Sequence, residues 1–188
     1  MAKEVEIKFR IADPKTIAAS LKRAGFREVT PRTHEMNALY DLPGQKLRKR
    51  GDMLRLRKYG AHWTLTHKAK EHSGRHKVRV ERETWVESGE QMDAILRALG
   101  FSPTFRYEKY RAEWSDGKGH VVLDATPIGN FGEIEGTPGW IDRTARVLGI
   151  GRQDYITLTY APMFFAWKRR TRSPAKEMTF RAVGVLQK

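Results

Sequence analysis

The chain has 188 residues, enough for one domain with its own core. It has no cysteine, which excludes disulfides, thiolate zinc sites and cysteine nucleophiles; with no apolar run near the about 18 residues that span a bilayer, a soluble cytoplasmic protein is the expectation. Lys and Arg number 36 against 22 Asp and Glu, a formal charge of +14, and the excess sits in 46–82 (net +10) and 167–188 (net +6), which points to an anionic partner.

In chain order, Glu4-Val5-Glu6-Ile7-Lys8-Phe9-Arg10-Ile11 alternates strictly and predicts a strand with one charged and one apolar face. Asp13-Pro14 then opens a helix through Gly25, with Ile17, Ala18, Leu21 and Ala24 at helical spacing; Asp suits the N-cap and Pro the first turn. Leu54-Arg55-Leu56-Arg57, Trp63-Thr64-Leu65-Thr66 and Val78-Arg79-Val80 leading into Glu81 and Glu83 alternate again. Ser88 with Gln91 forms a capping box before Met92, Ile95, Leu96 and Leu99, and Gly100 is the stop. Strands follow at Lys109–Trp114, Val121–Asp124 and Phe131–Glu135, a third helix runs from Thr137-Pro138 to Gly149, and a fourth lies near 153–169.

From Trp167 onward no period is legible and Ser173-Pro174 interrupts, so this basic tail is read as disordered, with Phe180 as its anchor if it packs. Glu4-x-Glu6, a helix ending Leu21-x-x-x-Gly25-Phe26 and a strand are echoed by Glu81-x-Glu83, a helix ending Leu96-x-x-x-Gly100-Phe101 and a strand. The offset of 77 residues suggests a duplicated half-domain.

The charged strand faces collect Glu4, Glu6, Glu81, Glu83, Glu113, Asp124, Glu133 and Glu135 beside Lys8, Arg55, Arg57, Lys68, Arg79, Lys109 and Arg111. A flat sheet would expose this mixture; a closed barrel would turn it inward around a polar lumen, with helices over the apolar outside. Enclosed charges are costly unless a ligand pairs them. Carboxylates in number suit hard divalent cations, and Arg and Lys suit phosphate oxygens, so together they describe a metal–polyphosphate site. Other chemistries have little behind them. Gly129-x-x-Gly132 lacks the Gly-Lys-Ser/Thr of a phosphate loop, His72 and His76 flank a Ser-Gly that favours a loop over a zinc site, and no nucleophile elbow is present.

These residues, in this order across 4–135, resemble the CYTH proteins, the triphosphate tunnel metalloenzymes: Glu4-x-Glu6-x-Lys8, Leu54-Arg55-Leu56-Arg57, Leu65-Thr66-x-Lys68, Arg79-x-Glu81-x-Glu83, Glu108-Lys109-Tyr110-Arg111, Leu123-Asp124 and Phe131-x-Glu133-x-Glu135. The resemblance implies an α+β fold, an eight-stranded antiparallel barrel with a charged lumen and helices outside, spanning 1–170, with 171–188 as a basic tail. It implies that Lys8, Arg55, Arg57, Lys68, Arg79, Lys109 and Arg111 grip a triphosphate. It also implies that Glu4, Glu6, Asp124, Glu133 and Glu135, with Glu81 and Glu83 nearby, hold magnesium or manganese. Lys109, protonating or stabilising the leaving oxygen, and Glu6 are the catalytic candidates, while Lys77 and Arg10 are expected at the rim or in solvent.

The family includes thiamine triphosphatases, inorganic triphosphatases and class IV adenylyl cyclases. The cyclases are similar to one another in a His-Phe pair ahead of Glu-x-Glu-x-Lys, whereas only Met1, Ala2 and Lys3 precede Glu4 here. Hydrolysis of a triphosphate small molecule is therefore the first expectation and cyclisation of ATP the second. A basic RNA- or polyphosphate-binding module is a third, disfavoured because the strand carboxylates would repel a phosphate backbone. Trp63, Tyr40 and Phe131 are candidate stacking surfaces, though barrel packing suits each better. Without metal the lumen carboxylates are expected to repel one another, so that Glu133→Gln would stabilise the metal-free protein.

Overall fold

The structure, a computed structural model, describes residues 2–70, 72–73 and 76–185. Its elements are β1 (Ala2–Ile11), α1 (Pro14–Arg23), β2 (Arg27–Asp41), α2 (Lys46–Arg50), β3 (Met53–Tyr59), β4 (His62–Lys68), β5 (His72–Ser73), β6 (Lys77–Val86), α3 (Gly89–Ala98), β7 (Ser102–Ser115), β8 (His120–Thr126), β9 (Gly129–Glu135), α4 (Pro138–Val147), α5 (Tyr160–Thr171) and α6 (Phe180–Val183). The sheet order is β1-β9-β8-β7-β2-β3-β4-β6, with β6 returning to pair with β1 and the short β5 added beside β6. Eight antiparallel strands thus close on themselves, as the inward-charge reading anticipated. No described helix is long and apolar enough to cross a membrane.

Alternation decides what faces where. On β1, Ile7, Phe9 and Ile11 point outward and meet Leu21 of α1 and Trp140, Ile141 and Ala145 of α4. On the opposite wall Tyr40 and Leu56 pack against Leu96 of α3, with Leu54, Leu65 and Trp63 around them. Each such apolar side chain taken from water contributes about 1.5–3 kcal/mol. Trp63 and Tyr40 are therefore packing residues, and Tyr40 donates its hydroxyl to Asp93.

The suspected duplication is visible in the fold. β1-α1-β2 and β6-α3-β7 share one layout, β1 pairs with β6, and β2 pairs with β7. Both helices end alike: Gly25 and Gly100 take φ of +85° and +87°, and Phe26 and Phe101 N–H return to the carbonyls of Leu21 and Leu96.

Two expectations need correction. The fourth helix begins at Tyr160, because Ile156 is drawn into the sheet: it exchanges both backbone hydrogen bonds with Lys8, at 3.0 and 2.7 Å. The tail is not disordered across its described length. Met178 forms a bridge with Tyr107 on β7, Phe180 donates its N–H to Glu108 at 2.6 Å, and Ala175, Met178 and Phe180 are buried. Its apolar anchors are too widely spaced to show a helical or strand period.

This C-terminal segment closes one end of the barrel. Phe105 and Tyr107 share the lumen face of β7 with Lys109, and Phe131 shares that of β9 with Glu133. All three pack against Tyr160, Met163 and Phe164 of α5. The lumen is thus charged along most of its length and apolar at the end plugged by α5. Lumen-facing Phe131 has its place in this plug.

Candidate functional site

The charged part of the lumen encloses a cavity of about 460 Å³, lined by eight basic and seven acidic side chains. Among the sequence-predicted set, Glu4, Glu6, Lys8, Arg55, Arg57, Lys68, Arg79, Glu81, Glu83, Lys109, Arg111, Glu133 and Glu135 all reach it. Asp124 lies beneath that surface, its side chain fully buried. Arg10 stays outside, its guanidinium 5.1 Å from the Phe131 ring. Lys77 corrects the expectation of a rim or solvent position: it is buried in the lumen, its Nζ 2.5 Å from Glu6. Its place at the first residue of β6, where no alternation precedes it, concealed this. His76 meets Asp142 of α4 at 2.9 Å, while the side chain of His72 lies outside the described residues.

The deep half is a lattice of charge-assisted hydrogen bonds. Asp124 accepts from Arg111 at both oxygens (2.7 Å each), from Lys109 at 2.9 Å and from the Tyr160 hydroxyl at 2.6 Å. Glu133 accepts from Lys8 and, at 2.5 Å, from Arg111. Burial would raise the Glu133 carboxyl, but Lys8, Arg111 and Lys109 hold it well below the usual range. Burial works against the Lys8 ammonium as well, and Glu133 and Glu6 overcome it, so its pKa is raised. On the facing wall Arg57 donates to both oxygens of Glu83 at 3.0 Å, and Thr66 donates to Glu83 at 2.5 Å. Arg79 is anchored from behind by the carbonyls of Ala69 (2.8 Å) and Gly51 (2.9 Å).

Two contributors escaped the sequence reading. Glu35 of β2 is wholly buried under the floor, opposite Lys109 in the β2–β7 register. Burial alone would raise its pKa, yet Lys109, Arg111, Arg57 and Arg55 bring it down to about 2. The period of β2 is broken by register shifts near Thr30 and Thr33, so its lumen face was not legible. Tyr160 opens α5, whose start carries no side-chain cap to mark it in the sequence.

The outer half is acidic. Glu4 accepts from Lys68 at 2.6 Å, and Lys68 also reaches Glu81 at 2.8 Å. Glu135 lies opposite Glu6 in the β1–β9 register; burial and the charges of Glu4 and Glu6 push its pKa up to about 7. Among the described residues no three His, Asp or Glu side chains already stand close enough to cage a metal. Glu4, Glu6 and Glu135 nonetheless supply hard oxygen donors whose mutual repulsion a divalent cation would relieve, so the donor set fits such an ion.

Comparison with known proteins matches the CYTH domain to residues 2–146. The chain belongs to the CYTH-domain family. A Methanocaldococcus jannaschii protein named as a candidate adenylate cyclase is 27% identical over 146 residues, covering 77% of this chain and 83% of that protein. A Vibrio parahaemolyticus structure, also described as a candidate adenylate cyclase, superposes with a TM-score of 0.77 at 19% identity, over 86% of this chain and 97% of that one. A Hippeastrum structure gives 0.65 at 19% identity, over 87% and 95%; it is described as a candidate adenylyl cyclase with a dominant triphosphatase activity. The CYTH match ends before α5, so the helix that plugs the barrel, Tyr160 included, lies outside it.

Proposed function

We propose that this CYTH protein is a divalent-metal-dependent hydrolase of triphosphate groups, with inorganic triphosphate preferred over an organic ester such as thiamine triphosphate. The observation that carries this is the division of one lumen into a buried basic lattice and an acidic outer half. Lys8, Arg55, Arg57, Lys109 and Arg111 converge on a space that fits phosphate oxygens, and the end beyond them is filled by the apolar plug. The Hippeastrum protein, reported with a dominant triphosphatase activity, supports the same direction.

Glu4, Glu6 and Glu135 would hold magnesium or manganese, with Glu133 and Asp124 deeper and Glu81 and Glu83 on the facing wall. Such an ion would supply charge neutralisation at phosphate oxygens and a water of lowered pKa. Arg55, Arg57 and Arg111 present planar forks that orient the phosphates for in-line attack. The Lys109 Nζ, hydrogen-bonded to Asp124 at 2.9 Å, would donate its proton to the leaving oxygen. Glu6, paired with Lys77 and close enough to raise the pKa of Lys8, lies between the acidic outer half and the lattice.

The names of the Methanocaldococcus and Vibrio relatives keep cyclisation of ATP as the second reading. Purified protein with magnesium or manganese, assayed against triphosphate, thiamine triphosphate and ATP with product analysis, separates the two. Phosphate release from triphosphate is the expected result. Cyclic AMP with pyrophosphate as the main products would replace the proposal with the cyclase, and no turnover of any substrate at verified metal content would end both.

A further inference from the structure

Tyr160 stands at a junction that the CYTH domain itself does not supply. It is the first residue of α5, 14 positions beyond the matched residues 2–146, and it is buried in the lumen lattice. Its hydroxyl donates to Asp124 Oδ2 at 2.6 Å, the same oxygen that accepts from Lys109. Its ring carries two ammonium groups, Lys8 Nζ 4.5 Å and Lys109 Nζ 4.9 Å from the centroid. Its other contacts are the rings of Phe131 and Tyr107, which belong to the plug.

The backbone just before it is tied to the same strand residue, since Ile156 pairs with Lys8. One lysine is thus held by the C-terminal segment twice, through its main chain and through its ammonium. An ammonium over an aromatic face in a desolvated site is fixed in direction as well as stabilised. Tyrosine is the side chain that offers a face to two cations and a hydrogen to the acid between them.

We infer that Tyr160 is a positioning residue, aiming the ammonium groups of Lys8 and Lys109 into the lumen, so that the segment beyond the family domain completes the phosphate site. This rests on the triphosphate reading for its kinetic consequence, but its geometric core is independent of any activity. Tyr160→Phe keeps the ring and loses the hydrogen bond to Asp124; Tyr160→Leu loses both. Phe164→Leu thins the same plug without touching either lysine, and serves as the control for packing loss.

Two measurements on the full chain decide it. In lysine-labelled NMR spectra the Hε resonances of two lysines, assigned by Lys8→Arg and Lys109→Arg, should lie upfield because of the ring beneath them. The shifts should persist in Tyr160→Phe and Phe164→Leu and vanish in Tyr160→Leu. Kinetically, Tyr160→Leu should raise the KM for inorganic triphosphate about tenfold, with Tyr160→Phe restoring most of it and Phe164→Leu leaving it unchanged while lowering the melting temperature. If both lysine resonances stay in place in Tyr160→Leu, or if its KM moves no more than that of Phe164→Leu, the inference is overturned. If the wild type turns over no triphosphate while the ring-shifted lysines behave as described, the functional proposal fails and the positioning role stands.

Discussion

Glu133 and Glu135 stand two residues apart on one strand face, yet their surroundings pull their carboxyls in opposite directions. Glu133 is taken up by Lys8 and Arg111 and stays ionised; Glu135 faces Glu4 and Glu6, and its pKa rises to about 7. The sequence-level expectation that Glu133→Gln would stabilise the metal-free protein is therefore overturned. Removing one partner from so buried a cluster costs about 3–5 kcal/mol. The repulsion is concentrated at Glu135, which is partly open to water that screens it. Its folded pKa lies above the unfolded value of about 4.3, so folding takes up a proton between the two. The penalty is absent below about pH 4.3, grows as pH rises, and is complete above about pH 7. Glu135→Gln should accordingly melt about 2–4 °C higher than wild type at pH 8 in a chelator, with the gap narrowing toward pH 5. A gap that is independent of pH, or reversed, would show that Glu135 is not the seat of the strain.

At the scale of elements, the barrel wall depends on one glycine for a reason unrelated to phosphate. Gly132 sits on the outward face of β9, where an added Cβ would lie 2.1 Å from the ring of the buried Phe9. Gly132→Ala must displace that ring from between β1, α1 and α4, at a cost of about 1–3 kcal/mol or more. Gly139, exposed in α4 with its nearest neighbour 3.6 Å away, gives the contrast: Gly139→Ala should be neutral or stabilise by up to about 1 kcal/mol. Urea unfolding of both variants checks the pair, and equal stabilities would mean that the β9–β1 contact is looser than described. The same logic explains what the sequence revealed. β1, β3 and β9 alternate because each buries one face on helices and turns the other into the lumen, and β6 alternates with its charged face in the same lumen, so their residues were legible from Glu4 to Glu135. β2 hid Glu35 behind its bulges, and the C-terminal segment hid Tyr160, Met178 and Phe180 because plug residues are placed by tertiary contact rather than by any local period.

Over the whole molecule the +14 charge is not where the site is. Eight bases and seven acids line the cavity, so the lumen is nearly balanced and the excess lies elsewhere, on exposed stretches such as Lys46–Arg50 and Arg169–Arg172. The exterior field steers anions toward the protein, but binding inside requires existing pairs to be exchanged. Glu4 and Glu6 are occupied by Lys68 and Lys77, and Glu133 by Lys8 and Arg111. On the proposed reading, a cation taken by Glu4 and Glu6 would release Lys68 and Lys77 for phosphate, and a triphosphate taken by Lys8 and Arg111 would release Glu133 for a cation. Each ligand would free what the other needs, so the two affinities would be coupled, and reciprocally. Metal should tighten the binding of a non-hydrolysable triphosphate analogue about 5–150-fold, and the analogue should tighten metal binding by the same factor. Calorimetric titrations around the four-cornered cycle, corrected for metal–analogue association in buffer, measure both legs. Lys68→Gln, which releases Glu4 in advance, should strengthen metal-only binding and reduce the coupling. Independent binding of the two ligands would show that the paired lumen opens without exchange, and the division into acids for metal and bases for phosphate would have to be redrawn.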